Sequence, residues 1–263
     1  MSRRVAGFGT MVVMLALAGL TGCTPAVQAP SSSTTSTAVT VTAKNVSWTP
    51  LTKAVNKSTA ASMYKLESDV ELKNGSMHTS YTVYGTVNLP DRASISVHEN
   101  NFNISFYQQG KVAYADETSS WTQTDPIQDL RSFNSYAQLV QTAAGKHLTL
   151  EKLNRTFVVD EYCDVYRFTM PNQSVQLPGF LQQVAGNNRS TLGSNEPIQY
   201  TFYVGQTTGF VREVQTDSIN PVDQLGPVVT DTSTTFFDID EPKVAAVKIP
   251  QTLVKQLEGS AQQ

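Results

Sequence analysis

Residues 64–89 read YKLESDVELKNGSMHTSYTVYGTVNL, and this stretch decides the fold. From Tyr64 to Leu72 the even positions are mostly apolar and the odd ones charged, a period of two that only a half-buried strand explains. Asn74-Gly75 is a strong hairpin signal. Beyond it Met77, Thr79, Tyr81, Val83, Gly85, Val87 and Leu89 share one face, and His78, Ser80, Thr82, Tyr84 and Thr86 take the other. A two-residue turn at Asn74-Gly75 predicts Leu72 opposite Met77, Val70 opposite Thr79, Ser68 opposite Tyr81 and Leu66 opposite Val83. On the wet face Glu71 then meets His78 and Glu67 meets Thr82.

Working outward, the same alternation recurs at Ala93-Ile95-Val97, at Phe102-Ile104-Phe106 and at Val112-Tyr114, followed by Trp121. It returns at His147–Leu150, Glu161–Met170, Ile198–Val204, from Phe210 onward and near Val228–Phe237. Helical spacing marks Leu51, Ala54, Val55, Ser58 and Ala61, with Thr49 expected as the cap and Pro50 at the first helical position. Asp125-Pro126 predicts a second helix with Ile127, Leu130, Phe133, Ala137, Val140 and Ala144 as its stripe and Gly145 as its stop. A short apolar helix is expected around Leu177, Phe180, Leu181 and Val184, and a frayed one at Leu253–Leu257. No βαβ alternation and no internal repeat is visible. The expectation is one α+β domain: a large antiparallel sheet of about ten strands, curled into a half-barrel, with two or three helices over its concave face.

The N-terminus reads as an address. Arg3-Arg4, an apolar run from Val5 to Leu20 and the exit Leu20-Thr21-Gly22-Cys23 form the three parts of a secretory signal. The exit has the lipobox pattern, so residues 1–22 are expected to be removed and Cys23 to carry the lipid that anchors the chain. Residues 23–46, rich in Ser and Thr, are expected to be a flexible tether with a root-mean-square reach of about 25 Å. Residues 47–263 are the expected folded domain. Of 263 residues 40% are hydrophobic and the net charge is -3, which supports a sizeable core and argues against a nucleic-acid partner. With Cys23 lipidated, Cys163 has no partner in the chain and reads as a buried, inert thiol.

The elements together resemble bacterial lipoproteins of the LolA/LppX-like superfamily. The resemblance rests on the lipobox and tether, the charged hairpin, Lys111-Val112-Ala113-Tyr114 and Trp121, Tyr200-Thr201-Phe202-Tyr203-Val204 with its Thr-Gly turn, and Phe236-Phe237-Asp238-Ile239 leading to Ile249-Pro250. It implies a half-barrel whose helical lid encloses an apolar cavity, used to carry lipids or the acyl chains of lipoproteins, or to sense the envelope. LolA itself is a soluble shuttle, whereas Cys23 implies an anchored relative.

The remaining side chains suggest no catalyst. His78, His98 and His147 are scattered over polar strand positions. There is no nucleophile elbow, phosphate loop or zinc-protease motif. Asp238-Ile239-Asp240-Glu241 lacks the spacing of a calcium loop and reads as a solvated turn. Lys152, Arg155 and Arg167 read as a loose surface set. No cofactor or metal is expected, and a monomer is. The expected ligand contacts are the single-face positions Leu66, Val70, Tyr81, Val83, Ile95, Val97, Ile104, Phe106, Tyr114, Tyr200 and Phe202, with Leu177, Phe180 and Leu181 as a lid. The expected function is non-catalytic binding of a lipid or acyl chain by a protein held on the outer side of a cell membrane, or on its periplasmic side where two membranes exist. The alternative is an interaction or sensor lipoprotein whose filled core leaves its surface to meet a partner envelope protein.

Overall fold

The period-two segments pair into one open antiparallel sheet of twelve strands in the computed structural model. The structure describes residues 40–74, 77–99, 102–116, 120–127, 129–171, 197–218, 228–243 and 246–260. The elements are β1 (Val41–Lys44), α1 (Thr49–Thr59), β2 (Met63–Asn74), β3 (Met77–Asn88), β4 (Arg92–Glu99), β5 (Phe102–Gln109), β6 (Val112–Asp116), β7 (Trp121–Thr124), α2 (Ser132–Gly145), β8 (Glu151–Val158), β9 (Glu161–Met170), β10 (Ile198–Gly205), β11 (Val211–Ser218), β12 (Val228–Phe237) and α3 (Gln251–Ser260). The spatial order is β1-β8-β9-β10-β11-β12-β2-β3-β4-β5-β6-β7. Two meanders, β2–β7 and β8–β12, are thus joined by pairing their first and last strands into a curved α+β half-barrel. That junction sets Phe236 opposite Leu66 and Thr234 opposite Ser68.

The inner face carries the main core, closed by α1 and α2, which also touch each other. Helix α1 buries Leu51, Ala54, Val55 and Ser58, as its spacing predicts. The Ser58 hydroxyl bonds back to the Ala54 carbonyl and accepts the Val211 amide at 2.9 Å, tying α1 to β11. Tyr64 on β2 donates to the Leu130 carbonyl at 2.6 Å and so holds the entry to α2. Under α2 the aromatic rings fill the space, with Phe133 4.3 Å and Tyr64 5.8 Å from Phe236 between ring centroids.

Several expectations are corrected. The β2–β3 register sets Leu66 opposite Gly85, Val70 opposite Tyr81, Leu72 opposite Thr79, Glu67 opposite Tyr84, Glu71 opposite Ser80 and Lys73 opposite His78, two residues from the expected pairing. An even shift keeps every side chain on its face, so the buried pattern cannot tell the two registers apart. Packing can: a Cβ on Gly85 would lie 3.1 Å from Leu66 Cγ, so glycine makes room for Leu66. Helix α2 starts at Ser132, not after Asp125. The buried Gln108 side chain binds both backbone groups of Ile127, accepting its amide at 2.8 Å and donating to its carbonyl at 3.3 Å, and this tertiary pairing replaces the helical bonds. Asp129 then accepts the Arg131 amide in a local turn. Ala143 rather than Ala144 completes the buried stripe. His147 takes the left-handed turn (φ 53°) after α2, so β8 begins at Glu151 rather than His147. The α1 N-cap is Trp48 rather than Thr49 and makes no side-chain cap bond; the Ser47 hydroxyl just before it accepts the Thr49 amide. Val41–Lys44, inside the expected tether, forms a strand on the β8 edge. Helix α3 does not cover the inner face: Leu253 packs with Tyr107 and Trp121 on the opposite side.

Candidate functional site

The expected ligand positions divide. Leu66, Val70, Tyr81, Val83, Ile95, Val97, Tyr200 and Phe202 are buried in the inner-face core, and Ile104 and Phe106 pack against it half-buried. Tyr114 is corrected: opposite Tyr107, it lies on the outer side against the α3 cluster. Leu177, Phe180, Leu181 and Cys23 lie outside the described residues.

Within the inner face two environments differ. Tyr200 and Phe202 belong to the filled part: Phe168 stacks on both at 5.7 and 5.8 Å, Tyr136 meets Phe202 edge-on at 5.9 Å, and Trp48 closes the group against Phe168 at 5.1 Å. The row that starts at Tyr200 changes character across the sheet: from the packed Tyr200 on β10 the register leads through Thr216, Thr232 and Val70 to Tyr81 on β11, β12, β2 and β3. Thr216 and Thr232 satisfy each other at 2.7 Å. Tyr81, only 8% exposed, leaves its buried hydroxyl with no partner, and so does the Ser218 hydroxyl, next on the same face of β11. These two oxygens stand three strands apart, about 14 Å along the sheet. Val83 opposite Val97, Val97 opposite Ile104 and Ile95 opposite Phe106 continue the wall beyond Tyr81.

A buried hydroxyl without a partner costs about 1–3 kcal/mol, and among the described residues these two lie on one face of the sheet. Burial raises the Tyr81 phenol far above its usual range, with the Glu99 charge adding to it, so it acts as a neutral donor. Glu99 follows Val97 on the same face of β4, and partial burial pushes its carboxyl upward too. The chemistry on offer is therefore an apolar wall with a neutral phenol donor at Tyr81 and the Glu99 carboxyl beside it. Among the described residues no three His, Cys, Asp or Glu side chains could hold a metal ion, and no helix is long and apolar enough to cross a membrane. Two surface depressions of about 250 and 470 Å³ are both open to solvent: the first lies by Glu67, Tyr84 and Ser96, the second by Ser62, Leu89 and Arg131. Neither includes the Tyr81 wall.

Unpartnered hydroxyls leave no sequence signal, because alternation assigns a residue to a face without saying what its polar atom meets. Tyr81 was legible as an inner-face residue, but the unpartnered state of its hydroxyl and that of Ser218 was not.

No family profile matches the chain, and no curated protein is detectably similar in sequence. Among solved structures, LprF from Mycobacterium bovis is similar at 12% identity over 78% of this chain and 96% of that one, with a TM-score of 0.50. A LolA superfamily protein, NE2245 from Nitrosomonas europaea, matches at 11% identity over 78% and 95%, TM-score 0.26. A DUF1329 family protein from Desulfovibrio piger matches at 9% over 74% and 92%, TM-score 0.25. The latter two superpose too loosely to add to the first, and at these identities the likeness is one of fold. By fold, then, the chain is similar to LprF: an open, curved antiparallel half-barrel with helices on it.

Proposed function

We propose that this chain is a lipoprotein, anchored outside the cytoplasm through Cys23, that holds a hydrophobic or amphiphilic ligand against the inner face without chemically altering it. The observation that carries this reading is the apolar wall of Val70, Val83, Val97, Ile104 and Phe106 around the buried, unpartnered Tyr81 hydroxyl. Burying an acyl chain there yields about 0.8 kcal/mol per methylene, so ten methylenes contribute roughly 8 kcal/mol before ordering costs. Tyr81 would donate to a carbonyl or hydroxyl of the ligand head. Glu99 beside Tyr81 disfavours an anionic head, so a neutral ester or acylglycerol suits the site better than an ionised fatty acid.

The test is native mass spectrometry of the full mature chain, before and after organic extraction, with binding of a fluorescent monoacylglycerol. A stoichiometric extra mass beyond the lipid on Cys23, and probe binding weakened about three- to tenfold by Tyr81→Phe, are expected. A bare chain that binds no probe overturns the carrier reading. The second reading, an interaction protein with a filled core, is favoured by the ring packing under α2 and would then stand.

A further inference from the structure

We infer that the β8–β9 hairpin tip is a docking element for a phospholipid surface. This rests on the anchored reading of Cys23 but goes beyond it, since an anchor alone sets no orientation for the domain.

Phe157, Val159 and Tyr162 are 58%, 42% and 61% exposed, and Phe157 and Tyr162 meet edge to face at 5.3 Å across the hairpin. Three large apolar groups thus stand outward on one two-residue turn. Val159 occupies that turn at φ 61°, a left-handed conformation that a β-branched residue rarely adopts and that glycine or asparagine would hold without strain. An aromatic pair with a phenol at its edge suits the membrane–water boundary, where one end of the group is wet and the other apolar. The exposed charges near the tip are paired: Arg155 lies 3.5 Å from Asp164 and Asp160 lies 3.4 Å from Arg212, so the aromatic pair rather than a free charge carries the contact with lipid.

The entry point of the chain selects a membrane over other occupants. Strand β1 runs antiparallel to β8, with Lys44 opposite Glu151 and Val41 opposite Leu153. At its start Thr40 donates to the Asn154 side chain at 2.8 Å and accepts the Asn154 amide at 3.0 Å. Thr40, where the described chain begins, therefore lies on the tip side of β1, its partner Asn154 three residues, about 10 Å, short of Phe157. Sixteen residues lie between Cys23 and Thr40, so the covalent span is at most about 60 Å. The end of the domain that the anchor pulls toward lipid is the end that bears the exposed aromatics.

The test uses the full chain processed through its own signal, its mass first read for the lipid on Cys23. A nitroxide is placed at Val159→Cys and, as a control, at Val112→Cys, which is 44% exposed on β6 near the far edge of the sheet. Cys163 is fully buried and does not compete for the label. In phosphatidylcholine–phosphatidylglycerol vesicles the label at 159 should become accessible to oxygen and shielded from an aqueous nickel complex, and the label at 112 should not. Adding Phe157→Ser and Tyr162→Ser, both exposed, should abolish the shielding while thermal unfolding is unchanged. Equal nickel access at 159 and 112 overturns the inference. If the mass shows no lipid, the anchor reading fails, and the same pair of labels on added vesicles still decides the docking: shielding at 159 upholds it and exposure overturns it.

Discussion

Replacing Gly205 by alanine should destabilise the domain by about 3–5 kcal/mol. Gly205 lies opposite Cys163, beside Glu161, at the start of β9. A Cβ there would stand 2.2 Å from Glu161 Oε1, 2.4 Å from Cδ and 2.7 Å from Oε2. The carboxylate must retreat by about 1 Å to reach ordinary contact. It is not free to do so cheaply, because it accepts the Thr207 and Thr208 amides at 2.9 and 3.1 Å, the Thr208 hydroxyl and the Arg212 guanidinium. Glu161 and Arg212 side chains are each 7% exposed. A 1 Å shift carries the two amide bonds past hydrogen-bonding range and weakens the pair, and charge-assisted bonds are worth about 1.5–3 kcal/mol each. The sum falls in the range found for breaking a buried ion pair. Thermal unfolding should show a fall of about 10 °C. In a Glu161→Ala background, where the space is vacant, Gly205→Ala should cost under about 0.5 kcal/mol more. Burial opposes the Glu161 charge, but the hydrogen bonds from Thr208, Arg212 and Thr207 outweigh it and hold the carboxyl below its usual range. Its stabilisation is therefore present above the unfolded carboxyl range, about pH 4, and is lost as pH falls through the lower folded value. The Gly205→Ala deficit should shrink in acid. An unchanged melting temperature, or costs that simply add in the double variant, refutes this account.

Three further outcomes are expected. Burial, a hydrogen bond from Asp231 and its charge raise the Asp217 carboxyl to about 6, so this group costs stability as pH rises from about 4 through 6. Asp217 is solvent-exposed, which screens the repulsion, and Asp217→Asn should gain only about 1 kcal/mol at pH 7 and nothing below pH 4 in parallel thermal melts. Burial, with the Glu161 charge, pushes the Cys163 thiol up to about 12, so an aromatic disulfide reagent should leave the native protein untouched and titrate one thiol per lipidated chain in denaturant; reaction of the native protein would contradict the packing. Tyr81→Phe should leave the ligand-free protein as stable or about 1 kcal/mol more stable by urea unfolding, since it removes an unpaired hydroxyl, while weakening ligand binding.

How far the fold was legible depended on whether the deciding interaction was local. Alternation carries face and strand, so β2 to β6 and β9 to β12 could be read from Tyr64 onward, and the α1 stripe likewise. What was missed was set at long range. The extended run Val41–Lys44 is a strand because the β8 edge binds it, not because Val-Thr-Ala-Lys alternates. Asp125-Pro126 carries a helix-start pattern, but Gln108 reaches Ile127 across the fold and wins. Tyr114 sits at an apolar strand position like its neighbours, yet alternation alone cannot say which face of a two-sided sheet is the inner one. The β2–β3 register was missed because Gly85 and Leu66, rather than the turn dipeptide, fix it.

The same distinction bears on function. Where helices lie on the sheet, polar atoms are matched: Tyr64 with Leu130 and Ser132, Ser68 with Thr234, Ser58 with Ala54 and Val211. That region is a finished core, and its aromatic contacts leave little for a ligand to add. The matching fails at Tyr81 and Ser218, both beyond that packing along the strands. A fold stabilised by matched pairs elsewhere can carry two unmet donors there at a cost of a few kcal/mol, and a ligand bearing an acceptor recovers part of that cost on binding. Selectivity then follows from the mismatch. A ligand with a purely apolar tail fills the wall but leaves Tyr81 unmet, an anionic head is repelled by Glu99, and a neutral ester offers Tyr81 an acceptor without a charge against Glu99. Binding of an alkane-tailed ester should therefore exceed that of the matching ionised acid, and equal affinity for the two would place the ligand head away from Tyr81.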